Sequence, residues 1–251
     1  WADGVRWMKD AGAEIVDIDE NAMFTGLADG SLDLVTELWP SGVVADEQAF
    51  IDNGSIVNVG ELGSVGQIGW FVPDYVVADN PSLATWEGLK DAELAKQFAT
   101  AETGDLGRFL GTDPSYSQVD EPLIANLELP FKVVFSGSEA ATVAEIDSAV
   151  ADNKPIIMYW WTPTAAVGKY DLVEVKLPEY TPGCQDDIPN TKCAYPADPL
   201  QKIASAKLQE KNPAVFAMFQ KVQITNEQQL ELLPEVEIEG LGRIRNTIEE
   251  W

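Results

Sequence analysis

Two adjacent tryptophans close a short apolar stretch, PIIMYWWTPTA, at residues 155–165. Strand alternation places Trp161 on one face of a strand and Trp160 on the other, so at most one of them can serve a given site. Trp161, at the strand end, is the candidate for an exposed site, and Trp160 is the candidate for the core. Trp39 closes another strand-like stretch and is followed by proline, and Tyr116 lies on a polar loop. In open α/β sheets, ligands bind beyond the carboxyl ends of strands.

Aromatic faces that converge on one cavity are suited to a quaternary ammonium or another soft cation. Each face contributes roughly 0.5–2 kcal/mol by cation–π attraction. Three faces together with methyl burial approach the ~8 kcal/mol of a micromolar complex. The competing interpretation is that a lone tryptophan at a strand end packs in the core or at its rim, which is the commoner role.

Other kinds of chemistry find little support in the residues. The chain contains no histidine, which excludes Ser-His-Asp and Cys-His nucleophile systems and histidine metal ligands. Neither a GxxxxGK[ST] loop nor a GxGxxG turn between a strand and a helix is present. An acidic glycoside hydrolase stays an alternative, but with 42 acidic residues a close carboxylate pair carries little information. We therefore expect no enzyme, no cofactor and no metal.

The charge balance is strongly acidic. Asp and Glu number 42 against 16 Lys and Arg, a formal net charge of −26, and no basic residue lies between Lys9 and Lys90. Such a surface repels nucleic acid and anionic lipid, so neither is an expected partner. Two explanations remain open: solvation in a salty environment, or an electrostatic role in ligand capture.

The two cysteines, Cys184 and Cys193, lie in a turn-rich segment, PGCQDDIPNTKCAYP. A zinc site would need more ligands than this sequence offers. A local disulfide that closes a loop fits better and implies an oxidising compartment, with buried free thiols as the alternative. No apolar run is long enough to span a bilayer.

The order of elements predicts an α/β fold, with mixed sheets flanked by helices. Helices are predicted at 21–31, from 80 to 91, at 138–153 and from Asn226, and the segment 198–222 is predicted to be helical with an interruption at Asn212-Pro213. Strands are predicted at 13–19, 32–39, 55–61, 67–77, 129–137, 155–161 and 170–178. We expect a discontinuous lobe formed by 1–72 and 176–251, an inserted lobe at 73–175, and hinge crossings near 72–76 and 172–177.

Several stretches, in this order and spacing, resemble the glycine betaine-type substrate-binding proteins of ABC importers, the osmoprotectant and choline group. They are TELWPSG (36–42), IGWFVPDYV (68–76), MYWWTPTA (158–165), KYDLVEVKLP (169–178) and CAYP followed by KIASAKLQEKNPA (193–214). The resemblance implies a two-lobed periplasmic-binding-protein clamshell of the type II kind. It also implies an exported, periplasmic or cell-surface monomer that captures a quaternary ammonium or related zwitterion and delivers it to a membrane permease.

The same resemblance implies an aromatic cage in which Trp39 and Trp161 match cage tryptophans and Tyr116 matches a further aromatic. Relatives often carry His or Tyr, then Trp, after their W-x-P motif, where this chain has Thr164 and Ala165. A ligand carboxylate would then depend on Thr164, Thr162 or backbone N–H groups, which brings choline or a sulfonium compound beside glycine betaine. The resemblance also places Trp1 near the ligand. The alternative is the same fold with another small solute, such as an amino acid or polyamine.

Overall fold

The computed structural model describes residues 14, 16, 18–116 and 118–233. These residues form two compact units, one made of the chain up to Gly66 together with the chain from Asp198 onward, and the other made of 67–197. Trp1 lies outside the described residues, as do residues 13, 15 and 17 of the strand predicted at 13–19. The described residues of that stretch, 14, 16, 18 and 19, are not in a strand. No helix in the described ranges is long and apolar enough to cross a membrane.

The first unit, unit 1, packs helices on a small antiparallel sheet. Its elements are α1 (Glu20–Asp29), β1 (Leu34–Leu38), α2 (Ala45–Asp52), the first part of β2 (Ile56–Pro73), most of β7 (Ala197–Ser205), α8 (Leu208–Lys211), α9 (Pro213–Phe219) and α10 (Asn226–Leu233). Strand β7 lies between β1 and β2, and it runs antiparallel to β1. The Asp19 side chain caps α1, and Phe24 and Leu27 of that helix pack on Leu38 and Ile203. The last residue of β1, Leu38, is therefore buried in the hydrophobic core of unit 1.

The second unit, unit 2, contains a mixed sheet. Its elements are the last part of β2, α3 (Asp74–Asp79), α4 (Ala92–Ala95), β3 (Gly107–Gly111), α5 (Asp120–Asn126), β4 (Phe131–Phe135), α6 (Glu139–Ala151), β5 (Met158–Thr162), α7 (Ala165–Lys169) and β6 (Leu172–Val175). Strand β2 is antiparallel to β5 and β6, whereas β3 is parallel to β4 and β5. Ser138 caps α6, and Ile146 of that helix packs on Phe71, Met158 and Trp160. The predicted α/β class with a mixed sheet flanked by helices is confirmed.

The helix predicted to begin at residue 198 is wrong in its first part. Residues Ala197–Ser205 form strand β7, and the first helix after it begins at Leu208. Asp198, Leu200 and Lys202 are buried, whereas the residues between them, Pro199 and Gln201, are not, which is the period of a strand. Pairing with β1 therefore outweighs the helix propensity of the Ala, Lys and Gln residues.

Two further element predictions need correction. The strands predicted at 55–61 and 67–77 are one continuous strand, Ile56–Pro73, which ends earlier because Pro73 precedes a short helix. The helix predicted over 80–91 consists of two 3₁₀ turns, Pro81–Ala84 and Gly88–Lys90. A side chain at residue 88 would collide with the Ser82 carbonyl, at 2.0 Å from its Cβ, so the backbone folds back tightly there. The helices predicted at 138–153 and from Asn226 are confirmed, within a few residues at their ends.

The crossings between the units lie at 66/67 and 197/198, whereas the sequence places the lobe boundaries at 72/73 and 175/176. Residues 67–73 pair with β5 and β6 and so belong with unit 2. The segment 176–197 also packs on unit 2, since the Asn126 side chain donates to the carbonyls of Pro189 and Thr191 at 2.9 and 3.0 Å. The hinge positions stay a prediction.

The segment that contains the cysteines is closed by a disulfide. Cys184 and Cys193 are bonded to each other, as predicted, and no free thiol remains. The Gln185 side chain donates to the Ala194 carbonyl at 2.9 Å, which fastens the same loop a second time. The bond holds the chain that leads to Tyr195 in a compact loop.

Candidate functional site

The two tryptophans of β5 differ in burial as predicted, but their rings stack on each other and do not lie on opposite faces of the strand. Trp160 is buried, with 1% of its surface exposed, and its indole N–H donates to the Thr164 hydroxyl at 2.8 Å. Trp161 is half-buried, and its ring stacks on that of Trp160 with centroids 4.4 Å apart and planes 22° apart. The buried Trp160 ring therefore covers one face of the Trp161 ring. The two adjacent tryptophans therefore have different roles: Trp160 fills the core, and Trp161 lies on it at the end of the strand.

Three rings meet at the end of β5, and we call Tyr116, Tyr159 and Trp161 the aromatic cluster. Their centroids lie 6.1 Å apart for Tyr116–Trp161, 6.4 Å for Tyr116–Tyr159 and 6.1 Å for Tyr159–Trp161. Tyr116 and Trp161 are half-buried, while Tyr159 is nearly covered. The cluster thus offers partly accessible aromatic surface, which attracts a cation placed against a ring face.

A turn brings Tyr116 to the cluster. The Tyr116 N–H donates to the Asp113 carbonyl at 3.1 Å, and the Asp113 carboxylate accepts from the Ser115 N–H at 2.8 Å. An aspartate that bonds the backbone two residues later is typical of such turns. Hydrogen bonds within the loop after β3, both accepted by Asp113, therefore turn the chain so that Tyr116 lies beside β5.

A buried polar network lies behind the cluster. The ring of Tyr195 meets that of Tyr159 edge to face, with centroids 5.8 Å apart and planes at 82°. The Tyr195 hydroxyl donates to Asp120 Oδ1 at 2.9 Å and accepts from the Val119 N–H at 2.9 Å. Trp70 Nε1 donates to the same Asp120 oxygen at 2.6 Å. Burial raises the pKa of the Asp120 carboxyl to about 7, which the two donors only partly oppose.

Trp39, in unit 1, is held in place by a hydrogen bond and by packing against apolar residues of the same unit. It follows β1 directly, and its indole N–H donates to Glu37 Oε1 at 2.9 Å. Burial raises the pKa of Glu37. The ring lies over Gly66 and packs on a small core of Leu62, Leu200 and Ile224. Trp39 is half-buried, so part of its surface is accessible.

The two threonines predicted to hold a carboxylate lie at different depths. Thr162 is half-buried at the last position of β5, opposite Gln67 of β2. Thr164 is buried, and its hydroxyl accepts from Trp160 and donates to the Trp161 carbonyl at 3.3 Å. A hydroxyl has one proton to donate, so Thr164 would have to rearrange before it could donate to a ligand. Trp1 lies outside the described residues.

Sequence reasoning did not identify Tyr159, Tyr195 or Asp120 as site residues. For Tyr159 a signal was available, because alternation places it on the same strand face as Trp161. Tyr195 and Asp120 gave no such signal. Tyr195 reaches the cluster through its contact with Tyr159, 36 positions away in the sequence. Asp120 reaches it through its hydrogen bond with Tyr195, 75 positions away.

An α/β chain of two units with a partly accessible aromatic cluster at a strand end has the make-up of a solute-binding protein. The match to a known family makes this specific. The family model of OpuAC, the substrate-binding domain of ABC-type glycine betaine transport systems, matches residues 7–251. The chain belongs to this family, and it is a binding protein for transport and not an enzyme.

Two sequence relatives carry names that fit this family. The trimethylamine N-oxide-binding protein of Pelagibacter ubique is 28% identical over 218 residues, which cover 82% of this chain and 68% of the relative. The glycine betaine/proline betaine-binding periplasmic protein of Escherichia coli is 26% identical over 228 residues, which cover 83% of this chain and 66% of the relative. The chain thus spans about two thirds of the length of each relative.

Solved structures share the fold. The glycine betaine/L-proline-binding protein ProX of Borrelia burgdorferi aligns with a TM-score of 0.70 at 19% identity, covering 99% of this chain and 85% of that one. Lactococcal OpuAC, in its closed conformation with glycine betaine, aligns with a TM-score of 0.68 at 19% identity, covering 99% and 89%. An ABC-transporter choline-binding protein in complex with choline also gives 0.68, at 15% identity, covering 95% and 78%.

Proposed function

We propose that this chain captures a small methylated ammonium compound on the aromatic cluster and on Trp39 for delivery to an ABC permease. The candidate ligands are glycine betaine, choline, a sulfonium analogue and, from the name of the Pelagibacter relative, trimethylamine N-oxide. The observation that carries the proposal is the aromatic cluster. Three rings lie within 6.4 Å of one another at a strand end, and two of them are partly accessible.

Cation–π attraction explains the choice of ligand class. A methylated ammonium is large and weakly hydrated, so it loses little on leaving water, and its methyl groups bury apolar surface against the rings. An amino acid or polyamine carries a primary ammonium that needs hydrogen-bond acceptors, which the cluster offers only as tyrosine hydroxyls. The aromatic composition of the cluster therefore favours the methylated cation over these other solutes.

The carboxylate of a zwitterion finds no ready donor in Thr164, because the Thr164 hydroxyl already donates its proton to the Trp161 carbonyl. Thr162 and backbone N–H groups stay as the proposed donors for a carboxylate. Choline, which has no carboxylate, therefore stands beside glycine betaine as proposed cargo, and trimethylamine N-oxide is added from the name of the Pelagibacter relative.

The family and the disulfide support our proposal that the chain is exported to the periplasm or cell surface. The Cys184–Cys193 bond fits an oxidising compartment, and the Escherichia coli relative is named as a periplasmic protein. The acidic surface makes nucleic acid an unsuitable partner. A monomeric state stays a prediction.

Calorimetry with a panel of ligands tests the proposed function. Glycine betaine, proline betaine, choline, trimethylamine N-oxide and dimethylsulfoniopropionate are titrated into the protein, with glycine and putrescine as primary amines. We expect binding by at least one methylated compound and none by the primary amines. Trp161→Ala and Trp39→Ala should each lower the affinity by about tenfold or more, since each removes a ring worth up to roughly 2 kcal/mol and the apolar contact with it.

Trp86→Ala is the matched control, because Trp86 is a half-buried tryptophan of unit 2 whose ring faces Lys90 and not the aromatic cluster. Its affinity should equal that of the unmutated protein. Tight binding of glycine or putrescine, or unchanged binding by both the Trp161 and Trp39 variants, would contradict the proposal.

A further inference from the structure

Asp120 is a buried acid with hydrogen-bond donors on only one of its two carboxyl oxygens. It is buried, with 1% of its surface exposed, at the first position of α5. Both of its donors, Trp70 and Tyr195, bond the same oxygen, Oδ1. The other oxygen, Oδ2, is buried without a hydrogen-bond partner. A buried carboxyl in this state costs free energy when it is ionised, unless a positive charge comes near.

No basic side chain of the described residues supplies that charge. The ionisable group of its own helix that acts on Asp120 is Glu121, which is also acidic. The cations on neighbouring elements are directed elsewhere: Lys132 of β4 is exposed and donates to the Glu102 carbonyl, and Arg108 of β3 pairs with Glu145. The 3₁₀ turn that contacts α5, Ile188–Asn190, is flanked by two charged side chains that are both exposed, Asp187 and Lys192.

Two phenol rings connect Asp120 to the aromatic cluster. Tyr195 donates its hydroxyl proton to the carboxyl, and its ring packs against the ring of Tyr159, which is itself a member of the cluster. Burial, and after it the nearby negative charge, raise the pKa of the Tyr195 hydroxyl well above its ordinary value. Of the hydrogen-bonded pair of Tyr195 and Asp120, the member that titrates near neutral pH is therefore Asp120.

We propose that Asp120 is the buried counter-charge for the cationic ligand, a positioning residue that acts through Tyr195 and Tyr159 on the aromatic cluster. The inference rests on the proposed function and adds a coupling to it: binding of the cation and ionisation of Asp120 favour each other. An ionised Asp120 makes the Tyr195 ring, which packs on Tyr159 of the cluster, more electron-rich, and it adds a Coulomb attraction for the cation through a medium of low dielectric.

The direction of the pH dependence follows from linkage. The cation stabilises the ionised carboxylate, so binding lowers the pKa of Asp120, which in the free protein is about 7. Affinity is then low at pH 5.5, where the group is protonated, rises through neutral pH and becomes constant above about pH 8. For a charge that acts through two rings we expect a total rise of about three- to tenfold.

Calorimetric titration with choline and with glycine betaine at pH 5.5, 6.5, 7.5 and 8.5 tests this inference. Both ligands keep their permanent positive charge over that range. The unmutated protein should show the rise in affinity, and Asp120→Asn, which retains an oxygen to accept from Trp70 and Tyr195, should bind with the low affinity at every pH. Asp105→Asn is the control: it removes one acidic charge from unit 2 at a side chain that is 91% exposed, and it should retain the rise.

A second measurement needs no variant and so does not depend on whether Asp120→Asn folds. Titration at pH 7 in buffers of different ionisation enthalpy gives the number of protons released on binding, for which we expect about 0.2–0.5. Zero release together with a flat affinity profile overturns the inference, as does an Asp120→Asn protein that keeps the full pH dependence. Failure of both ligands to bind at any pH contradicts the proposed function instead, which separates the two results.

Discussion

At the scale of single residues, the position of Trp39 depends on the absence of a side chain at residue 66. A Cβ built on Gly66 would lie 2.3 Å from two carbons of the Trp39 ring, closer than real contacts allow. Gly66 therefore gives the ring its place over β2, and the hydrogen bond to Glu37 fixes its orientation. The half-buried tryptophan is thus a positioned group and not a loosely packed one.

Gly66→Ala should displace the Trp39 ring. We expect a loss of stability of about 1–3 kcal/mol from overpacking and, because Trp39 is a proposed ligand contact, a clear loss of affinity for the methylated ligand that the unmutated protein binds. Chemical denaturation and calorimetry measure the two effects. Gly168→Ala is the control, since Gly168 lies in helix α7 with open space around its Cβ position. That variant should be as stable as the unmutated protein or slightly more stable.

Equal stabilities and affinities for Gly66→Ala and Gly168→Ala would mean that the Trp39 ring moves aside freely. What the sequence could predict at this scale was limited to residues whose type and place at a strand end point to a ligand, namely Trp39, Trp161 and, on its loop, Tyr116. Gly66 and Asp120 matter through contacts with residues distant in sequence, and a single sequence does not contain those contacts.

At the scale of elements, strand β7 and helix α9 are joined by a buried lysine. Lys202, 1% exposed, faces inward from β7, and its ammonium donates to the carbonyls of Phe219 at 3.1 Å, Gln220 at 3.2 Å and Val222. The carbonyls at a helix C-terminus lack partners within the helix, so the lysine satisfies them and complements the helix dipole. Burial lowers the pKa of Lys202.

Lys202→Met keeps the length and apolar stem of the side chain but removes the donors. Three carbonyls then lose a charged partner, and we expect the free energy of unfolding to fall by about 2–4 kcal/mol. Urea denaturation measures the change. Lys211→Met is the control, because Lys211 forms an exposed ion pair with Asp33, which is worth at most about 1 kcal/mol. A loss for Lys202→Met no larger than that for Lys211→Met would contradict the assigned role.

The same lysine shows why some elements were predicted correctly and others were not. Helix α6 carries its own signals, a serine cap and apolar residues at helical spacing, and the sequence predicted it within two residues at each end. In β7, a buried lysine at an inward position disguises the alternation, so LQKIASA was interpreted as helix. Its strand structure depends on pairing with β1, which is a property of the assembled sheet.

At the scale of the whole molecule, the dominant feature is unbalanced negative charge. A net charge of −26 over 251 residues leaves most carboxylates without a cation, and the chain has only 16 basic residues. The ion pairs found in the described part of the chain are mostly exposed, as for Lys96–Asp105 and Lys154–Asp152. Such pairs stabilise little, so repulsion among the carboxylates is largely uncompensated. Composition alone was sufficient to predict this, since it needs no knowledge of contacts.

Screening of this repulsion should stabilise the protein. Raising NaCl from 10 to 150 mM shortens the Debye length from about 30 to about 8 Å, which weakens the repulsion in the compact state more than in the expanded unfolded chain. We expect the melting temperature at pH 7.5 to rise by at least about 3 °C, where each kcal/mol corresponds to roughly 2–4 °C for a chain of this size. Differential scanning calorimetry without any ligand measures the rise.

KCl at equal ionic strength separates screening from the binding of a particular cation. Because screening depends on ionic strength alone, the two salts should give the same rise, and most of it should occur below about 150 mM, before salts act by exclusion from the protein surface. A larger effect of one cation would indicate specific sites for it among the carboxylates. A melting temperature that stays constant or falls over this range would show that the acidic groups lie far enough apart for repulsion to have no part in the stability of the fold.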